Sequence, residues 1–189
     1  MSVAAVVLAA GKGTRMKSAI PKVLHPICGL PMIAHVVNNL QEAGVGRIIV
    51  VVGPEGQEIQ DLLGSAVEYV VQGEQLGTGH AVLQAEAVLG SHDGPVLVIH
   101  GDTPLYRPDT LRELIKAHQS SRASGTVLSV LLNDPTGYGR IIRDAEGAFA
   151  KIVEEKDASP EEATVKEINS GTYVFQCEPL FAALHQISP

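Results

Sequence analysis

Apolar residues recur along this chain in two alternating rhythms. Residues 3–9 form a continuous apolar run ended by glycine, the pattern of a parallel strand buried on both faces. After Pro31, the residues Ile33, Val36, Val37, Leu40 and Ala43 return at helical spacing, with Pro31 suited to the first turn and Gly44 to the stop. Residues 47–52 predict a second strand ending at Gly53-Pro54, residues 57–63 a short helix and residues 67–71 a third strand. Residues 78–89 place Ala81, Val82, Ala85, Val88 and Leu89 on one helical stripe, and residues 95–100 read as a further strand. A helix over 109–119 and a strand over 126–132 continue the alternation, which predicts an open parallel α/β sheet with right-handed crossovers.

From Tyr138 the rhythm changes. Residues 140–143, 149–154 and 168–176 are short strand candidates with little helix between them, predicting a mixed or antiparallel extension of the sheet. No internal repeat or low-complexity tract interrupts the pattern.

Composition narrows the class of partner. At 189 residues and 45% hydrophobic, the chain has the apolar material for one core, so a single domain is expected. Lys and Arg total 14 against 21 Asp and Glu, a formal charge of -7 that argues against extended nucleic acid and anionic membranes as partners. A small anionic ligand needs only a few local cations and backbone N–H groups, and stays compatible with that charge. Cys28 and Cys177 form no CxxC pair, so buried free thiols are expected rather than a disulfide or zinc site. No basic flank precedes the first apolar run, and Lys12 and Arg15 interrupt any membrane-length reading, so a cytoplasmic protein is expected.

The first strand runs directly into Leu8-Ala9-Ala10-Gly11-Lys12-Gly13-Thr14-Arg15-Met16. In open α/β sheets ligands sit beyond the carboxyl ends of the strands, where this loop begins. Gly11 and Gly13 allow close backbone approach, while Lys12, Arg15 and Lys22 can offset the charge of a triphosphate. The loop is neither GxxxxGK[ST] nor GxGxxG, because Met16 stands three residues after Gly13. By itself it is equally an ordinary glycine turn with solvated cations.

The longer string resembles a known family. The loop followed by Pro21-Lys22-Val23-Leu24 is similar to the nucleotide-binding signature of the sugar-phosphate nucleotidylyltransferases. The segments Gln72-Gly73-Glu74-Gln75-Leu76-Gly77-Thr78-Gly79-His80-Ala81 and Asp134-Pro135-Thr136-Gly137-Tyr138-Gly139-Arg140-Ile141 narrow it to the uridylyltransferase domain of the bacterial N-acetylglucosamine-1-phosphate uridylyltransferases. The resemblance runs from Ala5 to about Val174. It implies a Rossmann-like, open, mixed but mainly parallel α/β sheet with helices on both faces, of the nucleotide-diphospho-sugar transferase type, cut short at the C-terminal end. Residues 1–189 then make one incomplete nucleotidylyltransferase domain, with 1–133 the nucleotide-binding part and 134–189 the start of the sugar-binding part.

That resemblance implies a magnesium-dependent transfer of uridylyl from UTP to N-acetylglucosamine 1-phosphate, releasing pyrophosphate and making UDP-N-acetylglucosamine for cell-wall and lipopolysaccharide synthesis. Leu8, Ala9, Ala10 and Gly11, with Gln72, Gly77 and Thr78, would hold the uridine; Arg15 and Lys22 would be catalytic at the phosphates, Lys22 also binding nucleotide. Asp102 corresponds to a magnesium ligand, and Gly139, Glu154 and Asn169 to contacts with the sugar. The side chains suit these roles: Gln72 carries a donor and an acceptor for a uracil edge, and a hard carboxylate suits magnesium. Read alone, Thr78 caps a turn, Asp102 is a turn residue before Pro104, Glu154 belongs to the solvated run Glu154-Glu155-Lys156-Asp157, and Asn169 is a strand-edge residue. His100 departs from the resemblance, which places a tyrosine there, and a packed histidine is expected rather than a catalytic one.

The family's second magnesium ligand, an asparagine, would lie beyond Pro189, as would a left-handed β-helix that forms homotrimers and acetylates glucosamine 1-phosphate with acetyl-CoA. The 189 residues are therefore read as a fragment, weakly active or inactive alone. The competing readings are a non-catalytic nucleotide or sugar-nucleotide binding module, and a nucleotidylyltransferase for another sugar phosphate or base.

Overall fold

The computed structural model describes residues 2–11, 13, 16–18 and 20–187. Lys12, Thr14 and Arg15 of the glycine loop lie outside the described residues.

Strand β1 (Ala4–Ala9) leads, through a 3-10 turn at Lys22–Leu24 and the hairpin β2 (Pro26–Ile27) and β3 (Leu30–Pro31), into helix α1 (Met32–Glu42). Then come β4 (Arg47–Val52), α2 (Gln57–Leu63), β5 (Glu68–Val71), α3 (Thr78–Leu83), α4 (Glu86–Leu89) and β6 (Pro95–His100). The remainder is α5 (Pro108–Ser121), β7 (Gly125–Leu131), β8 (Arg140–Arg143), β9 (Phe149–Val153), α6 (Pro160–Ala163), β10 (Glu167–Gln176) and α7 (Cys177–Leu184). The chain forms two compact units, Met1–Thr126 with Tyr173–Pro189, and Val127–Thr172.

In the first unit the strands lie in the order β5, β4, β1, β6, all parallel, with the end of β10 added antiparallel to β6 at Tyr173↔Val98. The mixed, mainly parallel sheet is the expected one. Every residue of β1 is buried, because apolar side chains leave the strand towards both faces and each face is covered. On one face Ala4, Val6 and Leu8 join Ile49, Val51, Val96 and Val98 against Ala81, Val82, Ala85 and Leu89, with Cys177, Leu180 and Phe181 of α7. The alternate residues Ala5, Val7, Val50, Leu97 and Ile99 are equally buried; α5 packs on β6 and touches α1. At about 25 cal/mol per Å² of apolar surface removed from water, this two-sided burial is the main favourable term of the fold.

Two expectations are corrected. The single helix over 78–89 is interrupted between α3 and α4: Gln84 N–H turns to Ala81 O at 3.3 Å, while its side-chain amide takes His80 O at 3.1 Å. The side chain thus occupies the carbonyl that the next helical turn would use, and the backbone tightens to i, i+3 bonds. The strand expected over 126–132 pairs with β10 and so does not extend the parallel set. Periodicity reports a strand's burial, not its neighbour.

His118 of α5 is fully buried, its Nδ1 2.9 Å from Thr126 Oγ1 and its Nε2 3.2 Å from the Gln176 amide. Burial holds its pKa below the ordinary histidine value. The unfolded chain therefore binds this proton first as pH falls, so His118 costs stability as pH drops below about 6.5 and has no such effect well above it. Comparing melting temperatures at pH 5.5 and 7.5, His118→Gln should lose less on acidification than the parent; equal losses would exclude His118 as a cause.

In the second unit β8 pairs antiparallel with β9, from Arg140↔Val153 to Arg143↔Phe149, and with β10 at Ile168↔Arg140. This is the antiparallel arrangement expected beyond Tyr138. Among the described residues, no helix is long and apolar enough to cross a membrane.

Candidate nucleotide site

The chain leaves β1 for β4 and β5 on one side and returns to place β6 on the other. Connections that diverge in this way leave a crevice beyond the carboxyl ends of the central strands. A cavity of about 460 Å³ lies there. It is lined by Leu8, Ala9, Ala10 and Gly11 from the end of β1, by Gln72, Gly77 and Thr78 around the turn after β5, and by Lys22 and Asp102. All the first-unit candidates except Arg15, which lies outside the described residues, thus line one cavity. No heavy atom stands within 4 Å of where a Gly11 β-carbon would project, so this part of the loop offers bare backbone to a ligand.

Lys22 and Asp102 form an ion pair, an arrangement that their separation of eighty residues did not disclose. Lys22 starts the 3-10 turn after Pro21, where Leu24 N–H bonds to Pro21 O at 2.9 Å. Asp102 follows Gly101, whose N–H is fastened to Leu8 O at 2.9 Å. Gly13 packs on the stem of Lys22: at φ +58 it occupies a conformation that glycine favours, and a β-carbon there would come within 2.7 Å of Lys22 Cβ. With both charged groups partly exposed the bridge adds little stability, and what it does is set a cation and a carboxylate side by side on the cavity wall.

Gln72 is 3% exposed. Its backbone N–H bonds to Val52 O at 2.8 Å and its side-chain nitrogen to Gly77 O at 3.2 Å. The amide nitrogen is therefore already engaged, and the side chain brings an acceptor to the cavity rather than both a donor and an acceptor. The N-cap of α3 is Gly77 at φ +105, with no side-chain cap bond; Thr78 is the first helical residue. Gln75 also belongs to the cavity wall and donates to Ala10 O, tying the turn after β5 to the β1 loop. Its polar character within the Gln72 to Gly77 turn was the only sign of this in the sequence.

His100 lines the same cavity. Burial holds its imidazole below the ordinary value against the pull of Asp102, and Lys22 adds to the lowering. Among the described residues, no cluster of three or more His, Cys, Asp or Glu side chains could hold a metal ion.

The second unit brings its own candidates together. A β-carbon on Gly139 would stand 3.1 Å from Glu154 Oε1, and Asn169 N–H bonds to Gly139 O at 2.8 Å. Beside them Arg140 is 2% exposed, with its guanidinium donating to Glu155 at 2.7 Å, to Tyr138 O and to Ala163 O at 3.4 Å. Arg140 holds Glu155 below the usual carboxylate range, helped by the Gly137 N–H. Arg140 was visible in the sequence only as part of a motif, not as a buried cation.

A sequence-family profile described as the MobA-like NTP transferase domain matches residues 5–158. The chain belongs to the MobA-like NTP transferase domain family. This NTP transferase domain is 55% identical over 183 residues to the bifunctional protein GlmU of Exiguobacterium sibiricum, covering 97% of the chain and 41% of that protein. It is 51% identical over 184 residues to the GlmU of Bacillus licheniformis, covering 97% of the chain and 40% of that protein. The chain thus spans about two-fifths of the length of these curated relatives. Among solved structures, a UDP-glucose pyrophosphorylase complexed with UDP-glucose superposes with a TM-score of 0.80 at 24% identity, over 100% of this chain and 81% of that one. A putative glucose-1-phosphate thymidylyltransferase from Bacillus anthracis in complex with a sucrose gives 0.84 at 23% identity, over 100% and 76%. At such identities the NTP transferase domain shares their fold.

Proposed function

We propose that this NTP transferase domain transfers uridylyl from UTP to N-acetylglucosamine 1-phosphate, giving UDP-N-acetylglucosamine and pyrophosphate. The observation that carries the reading is the single cavity that gathers the β1 loop, Gln72, Gly77, Lys22 and Asp102 at the sheet edge. The identity to the GlmU proteins favours uridine and N-acetylglucosamine over other bases and sugars.

In this mechanism the backbone of Leu8 to Gly11, with Gln72, Gly77 and Thr78, holds the nucleoside. Lys22 stabilises the α-phosphoryl oxygens while the sugar 1-phosphate attacks in line, and Arg15 steadies the departing pyrophosphate. No side chain acts as a covalent nucleophile or a general base. Gly139, Glu154 and Asn169 contact the sugar, and residues 1–133 and 134–189 divide as nucleotide-binding part and start of the sugar-binding part.

Asp102 fits a magnesium site. Its carboxylate is a hard oxygen donor and already faces a cation, the Lys22 ammonium. Magnesium characteristically takes one or two protein carboxylates and completes its shell with water and substrate phosphate, so a three-residue cluster is not required. When bound there it would supply Lewis-acid neutralisation of phosphate charge.

Pyrophosphate release from UTP with a panel of sugar 1-phosphates, with and without chelator, tests the reading. Turnover should favour N-acetylglucosamine 1-phosphate, vanish on chelation and fall by orders of magnitude in Arg15→Ala. UTP binding by calorimetry without turnover would make the domain a binding module. Failure to bind UTP would overturn both.

A further inference from the structure

The imidazole of His80 meets the buried Gln72 side chain on the wall of the nucleotide cavity, and nothing in the proposed mechanism uses it. Gln72 Nε2 lies 3.0 Å from His80 Nδ1 as well as 3.2 Å from Gly77 O. A carbonyl oxygen can only accept, so Gly77 O requires the amide nitrogen on this side of Gln72. One amide hydrogen then serves Gly77 O and the other points at His80 Nδ1.

The far side of the ring makes a competing demand. His80 Nε2 lies 3.2 Å from the Gln84 amide nitrogen, which is also 3.1 Å from His80 O. An imidazole with one proton has a single acceptor nitrogen, so it cannot accept from both glutamines. Burial decides between them. Gln72 is 3% exposed and an unpaired amide hydrogen there costs the full desolvation penalty, whereas the half-buried Gln84 reaches water. The acceptor is therefore Nδ1 and the ring proton sits on Nε2, while Gln84 keeps its amide nitrogen on His80 O and gives up only the contact with Nε2.

We propose that His80 is a positioning residue that locks the Gln72 amide with its nitrogen away from the ligand, so that Gln72 presents only the carbonyl Oε1 to the base. Oε1 takes no hydrogen bond among the described residues, and Gln72 lines the cavity. A fixed acceptor suits a pyrimidine whose ring nitrogen carries hydrogen, as N3 of uracil does. It opposes cytosine, whose N3 presents a lone pair. Turning the amide over to suit cytosine would lose the bond to Gly77 O, and would either set Oε1 against the Nδ1 lone pair or force the ring proton from Nε2 to Nδ1. Without His80 the same turn loses only the bond to Gly77 O. The discrimination thus belongs to Gln72 and His80 together.

This inference rests on the proposed uridine site, and the experiment separates the two. Affinities for UTP and CTP are measured by calorimetry on the 189-residue chain, on His80→Ala, and on His80→Asn, whose Oδ1 occupies a place equivalent to Nδ1. The parent should prefer UTP by up to ~100-fold, the scale of one buried hydrogen-bonding group left without its partner. His80→Ala should lower that ratio about tenfold, and His80→Asn should restore most of it. Melting temperatures are recorded alongside, and His80→Phe, which keeps the ring volume without an acceptor, replaces the alanine variant if that one does not fold. A parent that does not distinguish UTP from CTP overturns the uridine reading itself. A selective parent whose His80→Ala and His80→Phe variants keep the same ratio overturns the role of His80, even if both melt earlier.

Discussion

Asp102→Asn is expected to lower the proposed magnesium-dependent uridylyl transfer by about 10²- to 10³-fold, while metal-free binding of UTP stays unchanged or tightens. The two effects differ in sign because Asp102 stands in two relationships. Towards a metal it is the one carboxylate on the cavity wall among the described residues, so an amide in its place removes the charge that would hold the ion. Towards Lys22 it is the ion-pair partner, so the same substitution releases an ammonium to face the triphosphate. The bridge is partly exposed and its loss should leave the melting temperature nearly unchanged. Pyrophosphate release with magnesium, set beside calorimetry in chelator, reads both effects. A parallel fall in turnover and metal-free affinity would mean that Asp102 shapes the nucleotide pocket instead of serving a metal, and unaltered turnover would remove it from the site.

Arg140→Ala is expected to destabilise the second unit by ~2–4 kcal/mol. The figure belongs to the buried stem and to the hydrogen bonds with Tyr138 O and Ala163 O, and none of it to the exposed carboxylate of Glu155. Removing the side chain leaves a void and frees the Tyr138 carbonyl inside the Gly137 to Gly139 turn and the Ala163 carbonyl at the end of α6, so the turn should loosen with it. Hydrogen exchange across residues 134–156 should rise well above the parent, and Arg140→Lys should recover little, because an ammonium cannot span acceptors that a planar fork reaches. Glu155→Gln, altering only the exposed partner, should be mild by comparison. Unchanged exchange in Arg140→Ala would show that β8 and β9 hold the turn without it.

Strands β1, β4 and β6 were legible because a strand buried on both faces must be apolar nearly throughout. Residues 47–52, 57–63 and 95–100 were delimited to the residue, and α1 nearly so. Where a side chain competed with the backbone, as Gln84 does for His80 O, periodicity ran on through a break it could not register. Where a strand changed partners, as β7 does, burial pattern alone carried no information about register.

The candidate site divides similarly. Gly11, Lys22 and Asp102 are chemically expressive residue types near strand ends, and the resemblance gave them roles. Their pairing was silent: nothing in the order of residues tells that Lys22 meets Asp102, that Gln72 turns its nitrogen towards Gly77 and His80, or that Arg140 is buried.

By itself, the sequence determined the α/β alternation, the family and the position of the phosphate-type loop, because hydrophobic period and residue type are local quantities read along the chain. Only the tertiary structure decided which end of the Gln72 amide faces the cavity and which cation faces which carboxylate. Those are set by contacts that the order of residues does not display, across five and eight residues from Gln72 to Gly77 and His80 and across eighty from Lys22 to Asp102, where one hydrogen bond made or lost outweighs any local preference.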